Sequence, residues 1–260
     1  MLPKTPNRPP SPPRYQARLA ESEEDLIAAQ RLRALAFFGP QVGDDSATPG
    51  SERLDADDFD RICAHFLVHD QRDGQLVCCF RFLPLAAGTE IGRSYSAQYY
   101  ELSGLESFSG PIVEMGRFCI HPDLRDPDIL RVAWAAMTAY VDRNGVELLF
   151  GCSSFKGTDA EAYLDAFAML KDRHLAPKRF LPRVKAPSVF RFAQKLRRKP
   201  DAKRAALGMP PLLRSYLLMG GWVSDHAVVD ARMNTLHVFT GLEIGAIPPA
   251  RKRLLRAITG

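Results

Sequence analysis

Cysteine is scarce: five in 260 residues (Cys63, Cys78, Cys79, Cys119 and Cys152), odd in number and without a C-x-x-C pair. That argues against a disulfide framework or zinc knuckle and reads as reduced, mostly buried thiols of a cytosolic protein. No apolar run approaches the roughly 20 residues that a spanning helix needs, so no membrane crossing is expected. The opening MLPKTPNRPPSPPR has no apolar h-region, so no secretory signal is expected and the chain reads as cytoplasmic. A Walker A loop and a dinucleotide fingerprint are also absent, which removes the usual nucleotide cradles. His65 and His69 share one face of an expected strand, but without a third ligand or an H-E-x-x-H pattern no metal site is expected. Gly151-Cys-Ser-Ser follows an apolar strand yet lacks the G-x-S-x-G elbow, and reads as a tight strand exit rather than a nucleophile.

What is present is globular in balance, with 46% hydrophobic and 25% charged residues, and the length can bury a substantial core. The net charge of +5 is unevenly spread. Eleven acids face three arginines between Glu21 and Asp60, while thirteen Lys or Arg face two Asp between Lys171 and Arg204. Such asymmetry points to an anionic partner on one side of the molecule. No RNP pattern, helix-turn-helix or zinc finger accompanies the basic stretch, so nucleic acid is not the expected partner.

Residues 1–14 are Pro-rich and read as a disordered or extended arm. Ser22-Glu-Glu-Asp25 fits a loose capping box, and Leu26, Ala29, Leu32, Leu35 and Ala36 give the next segment a helical stripe. Residues 38–57 read as a long polar loop, which inside a compact domain is usually functional. Two β-rich runs flank Asp73-Gly74 as a hairpin. IVEMGRFCIH follows as a strand, with Ile112, Glu114, Gly116, Phe118 and Ile120 expected on one face. Asp126-Pro127 opens a helix that Asn144-Gly145 closes, and VELLFGC is a buried strand. A helix around 160–172, a short helix and two strands within 210–239, and a last helix opened by Pro248 complete the reading. Strands first, then strand–helix–strand, predict an α+β sheet flanked by helices: one domain over 15–260, with 175–260 as a C-terminal extension.

Arg81, Glu114 and Arg117 stand inside expected core-facing strands, where a charge costs free energy unless it is paired. They could pair with one another. Arg33, Asp57 and Asp60 add charges beyond what a fold needs. The order R-x-L-x-F (33–37), D-D-F-D (57–60), C-F-R-F-L-P (79–84) and E-M-G-R-F (114–118) resembles the acyl-homoserine-lactone synthases, GNAT-fold enzymes that acylate an amine from acyl carrier protein. The downstream half is similar instead to the L-ornithine Nα-acyltransferases, through LLFGCSSFKGTDAEAYLDAF (148–167), RHLAP (173–177), MPPLLRSYLLMGGWVSDHAVVD (209–230) and NTLHVF (234–239). One position departs from that likeness: His237 stands where an acid is expected.

The resemblance implies a GNAT-like fold with a mixed, mostly antiparallel sheet. It also implies transfer of a (3-hydroxy) fatty acyl group from acyl carrier protein to the α-amine of ornithine, or the same transfer to another amine, as in an acyl-homoserine-lactone-type synthase or a glycine, glutamine or lysine N-acyltransferase. On this reading Glu114 is the general base, supported by Arg81 and Arg117, with Arg33, Phe37, Asp57, Asp60, Ser153 and Phe155 in the substrate site. The segment that runs into the helix opened by Asp126-Pro127, HPDLRDPDILR (121–131), offers no glycine loop for a diphosphate and places carboxylates there. Arg125 and Arg131 could hold the single phosphate of phosphopantetheine. Lys195, Arg197 and Arg198 would meet acidic carrier protein or an anionic membrane surface. No resident cofactor is expected.

Overall fold

The computed structural model describes residues 13–39 and 53–257. Most of the expected Pro-rich arm and of the 38–57 loop lies outside them. Arg14 does not belong to a loose arm: its guanidinium binds Asp70 at 2.9 Å and Asp126 at 2.8 Å. The chain then enters β1 (Tyr15–Leu19), an unexpected strand antiparallel to β2 (Ala64–Asp70). Proline cannot donate to a ladder, so pairing starts where the proline run stops.

Helix α1 (Glu23–Phe38) begins where expected, with Ser22 Oγ accepting the Asp25 N–H, but the expected capping box does not close, because the Asp25 carboxylate accepts the N–H of Glu21 rather than of Ser22; the helix ends at Gly39, whose φ is +80°. A 3₁₀ turn (Asp58–Arg61) precedes β2, and Asp73-Gly74 turns the chain into β3 (Leu76–Leu85) with Gly74 at φ +75°. Short turns and β4 (Tyr100–Glu101) lead to β5 (Ile112–Ile120). Helix α2 (Pro127–Arg143), capped by Asp126 and started by proline, crosses to β6 (Leu148–Lys156). Beyond it come α3 (Leu164–Arg173), β7 (Arg183–Val184), β8 (Val189–Phe190), α4 (Phe192–Lys195), α5 (Ala202–Gly208) and α6 (Pro211–Leu218). Strands β9 (Trp222–Val223), β10 (Ala227–Asp230) and β11 (Thr235–Glu243) and helix α7 (Pro249–Ala257) close the chain. Gly151-Cys-Ser-Ser, expected to leave a strand, lies inside β6, because pairing with β11 carries that strand on to Lys156.

The main sheet runs β1-β2-β3-β5-β6-β11-β10-β8, with β9 on β11 and β4–β7 apart. Every pair is antiparallel except β5–β6, which the α2 crossover makes parallel. This is the α+β GNAT fold, a mixed and mostly antiparallel sheet between helices. One face carries α1 over Leu67, Cys79 and Cys119. The other carries α2, whose Ile129, Ala133, Trp134 and Met137 pack on Phe66, Phe80 and Met115.

Two departures from regular pairing shape the centre. In β5, Arg117 and Phe118 together face Phe80, because Cys79 pairs with Cys119 and Arg81 with Gly116; Arg117 sits at φ +53°. This bulge breaks the expected alternation. Phe118 and Ile120 cross to the face of Val113 and Met115 instead of staying with Ile112 and Glu114. The second departure is a parting. Strands β5 and β6 pair only from Ile112–Leu148 to Met115–Gly151, although both continue.

Gly151 marks the last point of close approach, since a Cβ built there would lie 2.3 Å from the Met115 carbonyl oxygen. Gly151→Ala is therefore expected to push the two strands apart and to cost about 1–3 kcal/mol, as overpacking does. Urea denaturation of the variant checks this; a stability equal to wild type would mean that the strands can give way freely at this point.

Candidate active site

The parting of β5 and β6 opens a cavity of about 550 Å³ that reaches both faces of the sheet. On the α2 side it is walled by Met115, Leu130, Leu212 and Leu213, and on the α1 side by Phe37, Arg81, Tyr95, Glu114, His237 and Asp230. A molecule lying through the opening would thus touch elements on both sides of the sheet.

The α1 side is built on a buried ionic frame. Arg33, 1% exposed, makes a two-pronged contact to Asp60 at 2.8 Å on each arm and donates to the Asp55 carboxylate at 2.9 Å and to its carbonyl. Arg81 forks onto Asp57 at 2.6 and 2.8 Å and reaches Asp60 at 2.5 Å. Arg117 meets Asp55 and Asp57, each at 3.0 Å. Three guanidinium groups thus oppose three carboxylates, which makes their burial tolerable. Burial alone would raise the Asp60 carboxyl, but hydrogen bonds and charge from Arg33, with Gln30 and Arg81, outweigh it and hold the group well below the usual carboxylate range. The frame holds residues 55–60 beside the cavity, which Phe59 lines.

Glu114 is not part of that frame. Mutual pairing with Arg81 and Arg117 is replaced by a different cradle: its carboxylate accepts the N–H groups of Tyr95 and Ser96, each at 2.7 Å, and the Ser96 hydroxyl at 2.5 Å. Arg81 acts on it through charge alone. The reason is geometric, since Asp55, Asp57 and Asp60 occupy both guanidinium groups, and the segment leading to β4 lies against Glu114. Burial dominates these hydrogen bonds and raises the Glu114 carboxyl above its ordinary value. The neighbouring Cys152 thiol, 3.4 Å from Ser96 Oγ, is pushed up to about 12 by burial, so it stays protonated and is a poor nucleophile.

Of the other sequence-derived positions, Phe37, Ser153 and Phe155 line the cavity, although Ser153 also accepts the Thr240 hydroxyl at 2.9 Å and Phe155 packs on Phe167. Arg125 and Arg131 lie outside it, at the exposed start of α2. Arg125 donates to the carbonyls of Pro122 and Leu124, and Arg131 pairs with Asp128 at 3.1 Å. Lys195 and Arg197 are exposed, and Lys195 lies over the Phe190 ring. Arg198 differs from a free docking charge: it binds Asp165 at 2.7 Å and fastens the basic stretch to α3. Asp55, Tyr95 and Ser96 were not singled out by sequence. Asp55 stood in the same acidic run as Asp57 and Asp60, whereas Tyr95 and Ser96 act partly through backbone N–H groups that leave no sequence signal.

Residues 32–135 match the family model described as an acetyltransferase (GNAT) domain. The chain is 33% identical to an L-ornithine N(alpha)-acyltransferase of Rhodobacter capsulatus over 243 residues, covering 91% of this chain and 93% of that one. An L-ornithine N(alpha)-acyltransferase of Brucella abortus is 30% identical over 241 residues, with 89% and 85% covered. Among solved structures, FeeM, an N-acyl amino acid synthase from uncultured soil microbes, aligns over 95% of this chain and 98% of its own, with a TM-score of 0.41 and 10% identity.

Proposed function

The chain belongs to the GNAT acyltransferases, in the family of the L-ornithine N(alpha)-acyltransferases, and from that premise we propose that it acylates the α-amine of L-ornithine. The donor would be the phosphopantetheine thioester of acyl carrier protein, carrying a (3-hydroxy) fatty acyl group, and the product lyso-ornithine lipid. The observation that carries this reading is the cavity through the parted β5 and β6, with buried Glu114 on one side and the start of α2 on the other.

The donor would lie on the α2 side with its thioester carbonyl in the opening, and the amino acid on the Glu114 side. The neutral α-amine attacks the carbonyl carbon and a C–N bond forms. Backbone N–H groups of β5 beyond Met115, where β6 no longer pairs, would stabilise the oxyanion. Glu114, through a water, takes the proton from nitrogen; collapse breaks the C–S bond, and the thiolate leaves and regains a proton. Arg33, Arg81 and Arg117 are positioning groups, committed to Asp55, Asp57 and Asp60. Ser153 and Phe155, with Phe37, would bound the substrate.

Carrier protein is favoured over coenzyme A by electrostatics at α2. Asp126 caps the helix and Asp128 lies in its first turn, so a diphosphate would meet two carboxylates there. A single phosphate could draw Arg125 and Arg131 from surface contacts worth at most about a kilocalorie per mole. The basic stretch would meet the acidic carrier, or an anionic membrane surface, through Lys195 and Arg197.

Mass spectrometry of products from purified enzyme, one acyl group on both carriers, and ornithine, lysine, glutamine, glycine or homoserine lactone tests the reading. N-acylornithine should dominate, with higher kcat/KM from acyl carrier protein. Equal or better use of acyl-CoA ends the donor assignment, and preference for another amine ends the acceptor assignment. Reversing Lys195, Arg197 and Lys199 to Glu, leaving Arg198 on Asp165, should raise KM for acyl carrier protein and flatten its salt dependence. An unchanged KM would remove this surface from the docking site.

A further inference from the structure

We propose that Asp230 and the Nε2 atom of His237 form a built subsite for the second ammonium group of a basic amino acid, deepening the acceptor reading above and resting on it. Among the described residues, buried carboxylates have cations or several N–H donors: Asp60 has Arg33 and Arg81, Asp70 has Arg14 and Arg72, Asp165 has Arg198, and Glu114 has three donors. Asp230, 7% exposed, has one backbone N–H, that of Met233 at 3.0 Å, and no cation among the described residues. A buried charge left so is costly. It lines the cavity, where a ligand could supply the missing cation.

His237 contributes the second acceptor. The single hydroxyl proton of Tyr100 goes to the His237 carbonyl at 2.7 Å, so the 3.2 Å contact between Tyr100 Oη and His237 Nδ1 requires Nδ1–H to donate. Nε2 then carries a lone pair. It is buried, has no partner, and belongs to a side chain that lines the cavity. Burial also keeps the ring neutral, lowering its pKa to about 4. A neutral acceptor beside a carboxylate suits an ammonium group and repels an acid.

Register places the pair at a useful spot. His237 opposes Ser154 and Val228, while Asp230 opposes Thr235, so the two are diagonal neighbours on adjacent strands, with side chains able to share one ligand atom. Along β6, Ser154 lies two residues beyond Cys152, whose thiol touches the serine that holds Glu114. An amino acid with its α-amine near Glu114 would therefore extend its side chain towards His237 and Asp230, on the same face of the sheet.

The test compares ornithine with norvaline, which has the same carbon skeleton without the terminal amine, by calorimetric binding and by KM. Wild type should bind ornithine at least about tenfold more tightly, the scale of a lost charged hydrogen bond. Asp230→Asn should reduce that preference to about threefold or less and leave norvaline binding unchanged. His237→Leu should weaken ornithine binding more than His237→Gln, which keeps an acceptor. Equal wild-type affinity for the two ligands overturns the subsite, and so does an Asp230→Asn enzyme that retains the full preference. If Asp230→Asn does not fold, the wild-type comparison and the His237 pair decide. Acyl transfer to ornithine without discrimination against norvaline would sink the subsite alone. Discrimination in binding without acyl transfer would sink the proposed reaction alone.

Discussion

Glu114→Gln is expected to fold and to lose about a hundredfold or more in kcat, the usual contribution of a positioned general base. The substitution keeps the shape and removes the basicity. Its amide must place an NH₂ where one oxygen accepted from Tyr95 or Ser96, a mismatch that costs about 1–3 kcal/mol of stability, so kcat has to be read on protein shown to be folded. The pH profile separates chemistry from scaffolding. Because burial raises the Glu114 carboxyl above 4.5, wild-type kcat/KM should climb with pH above that value as the base ionises, and the limb should vanish in the glutamine variant. The linkage has the opposite sign for stability. A carboxyl raised by folding favours the native state while protonated, and that contribution is lost as pH rises through its folded value. Wild-type turnover, or an unchanged ascending limb, in folded Glu114→Gln would refute the assignment.

Arg33→Met should destabilise the protein by about 3–5 kcal/mol, because removing one partner of a buried ionic network strands the others. Arg33 faces both Asp55 and Asp60, and Arg81 and Arg117 cannot satisfy three carboxylates alone. Arg131→Ala is the control, since its pair with Asp128 is about half exposed on both partners and should contribute less than about 1 kcal/mol. Urea denaturation reads both. The frame also sets an acid limit. Asp60 is held below its ordinary 3.8, so its contribution is complete above that value and is lost as pH falls below it; the dependence should shrink in Arg33→Met. A loss comparable with that of the surface control would mean that the frame contributes little to folding.

The parts legible from sequence were those encoded locally. Ser22 caps α1, Asp126-Pro127 opens α2, and Asp73-Gly74 turns the hairpin, because capping and turn signals act over a few residues. Arg81, Glu114 and Arg117 were also visible, since a charge in a core-facing strand pattern stands out, and Arg33, Asp57 and Asp60 through the family resemblance of the motifs that hold them. Their partners were not. Arg117 is joined to Asp57 across 60 residues and Glu114 to Ser96 across 18, and those partners are set by which distant loops pack against the sheet. The single-residue bulge at Arg117 moved Phe118 and Ile120 to the opposite face, a change that an unbroken alternation of period two cannot register. The place of Asp230 opposite Thr235, one strand beyond His237, likewise follows from β10 returning to β11. Sequence alone thus determined the elements that carry local caps, turns or clear periodicity and most charges of the ionic frame, but not β1 or Asp55, whose burial comes from pairing with distant segments. Tertiary structure alone decided which charge meets which, and where a carboxylate is left for a ligand, because burial and pairing are properties of contacts made between distant segments.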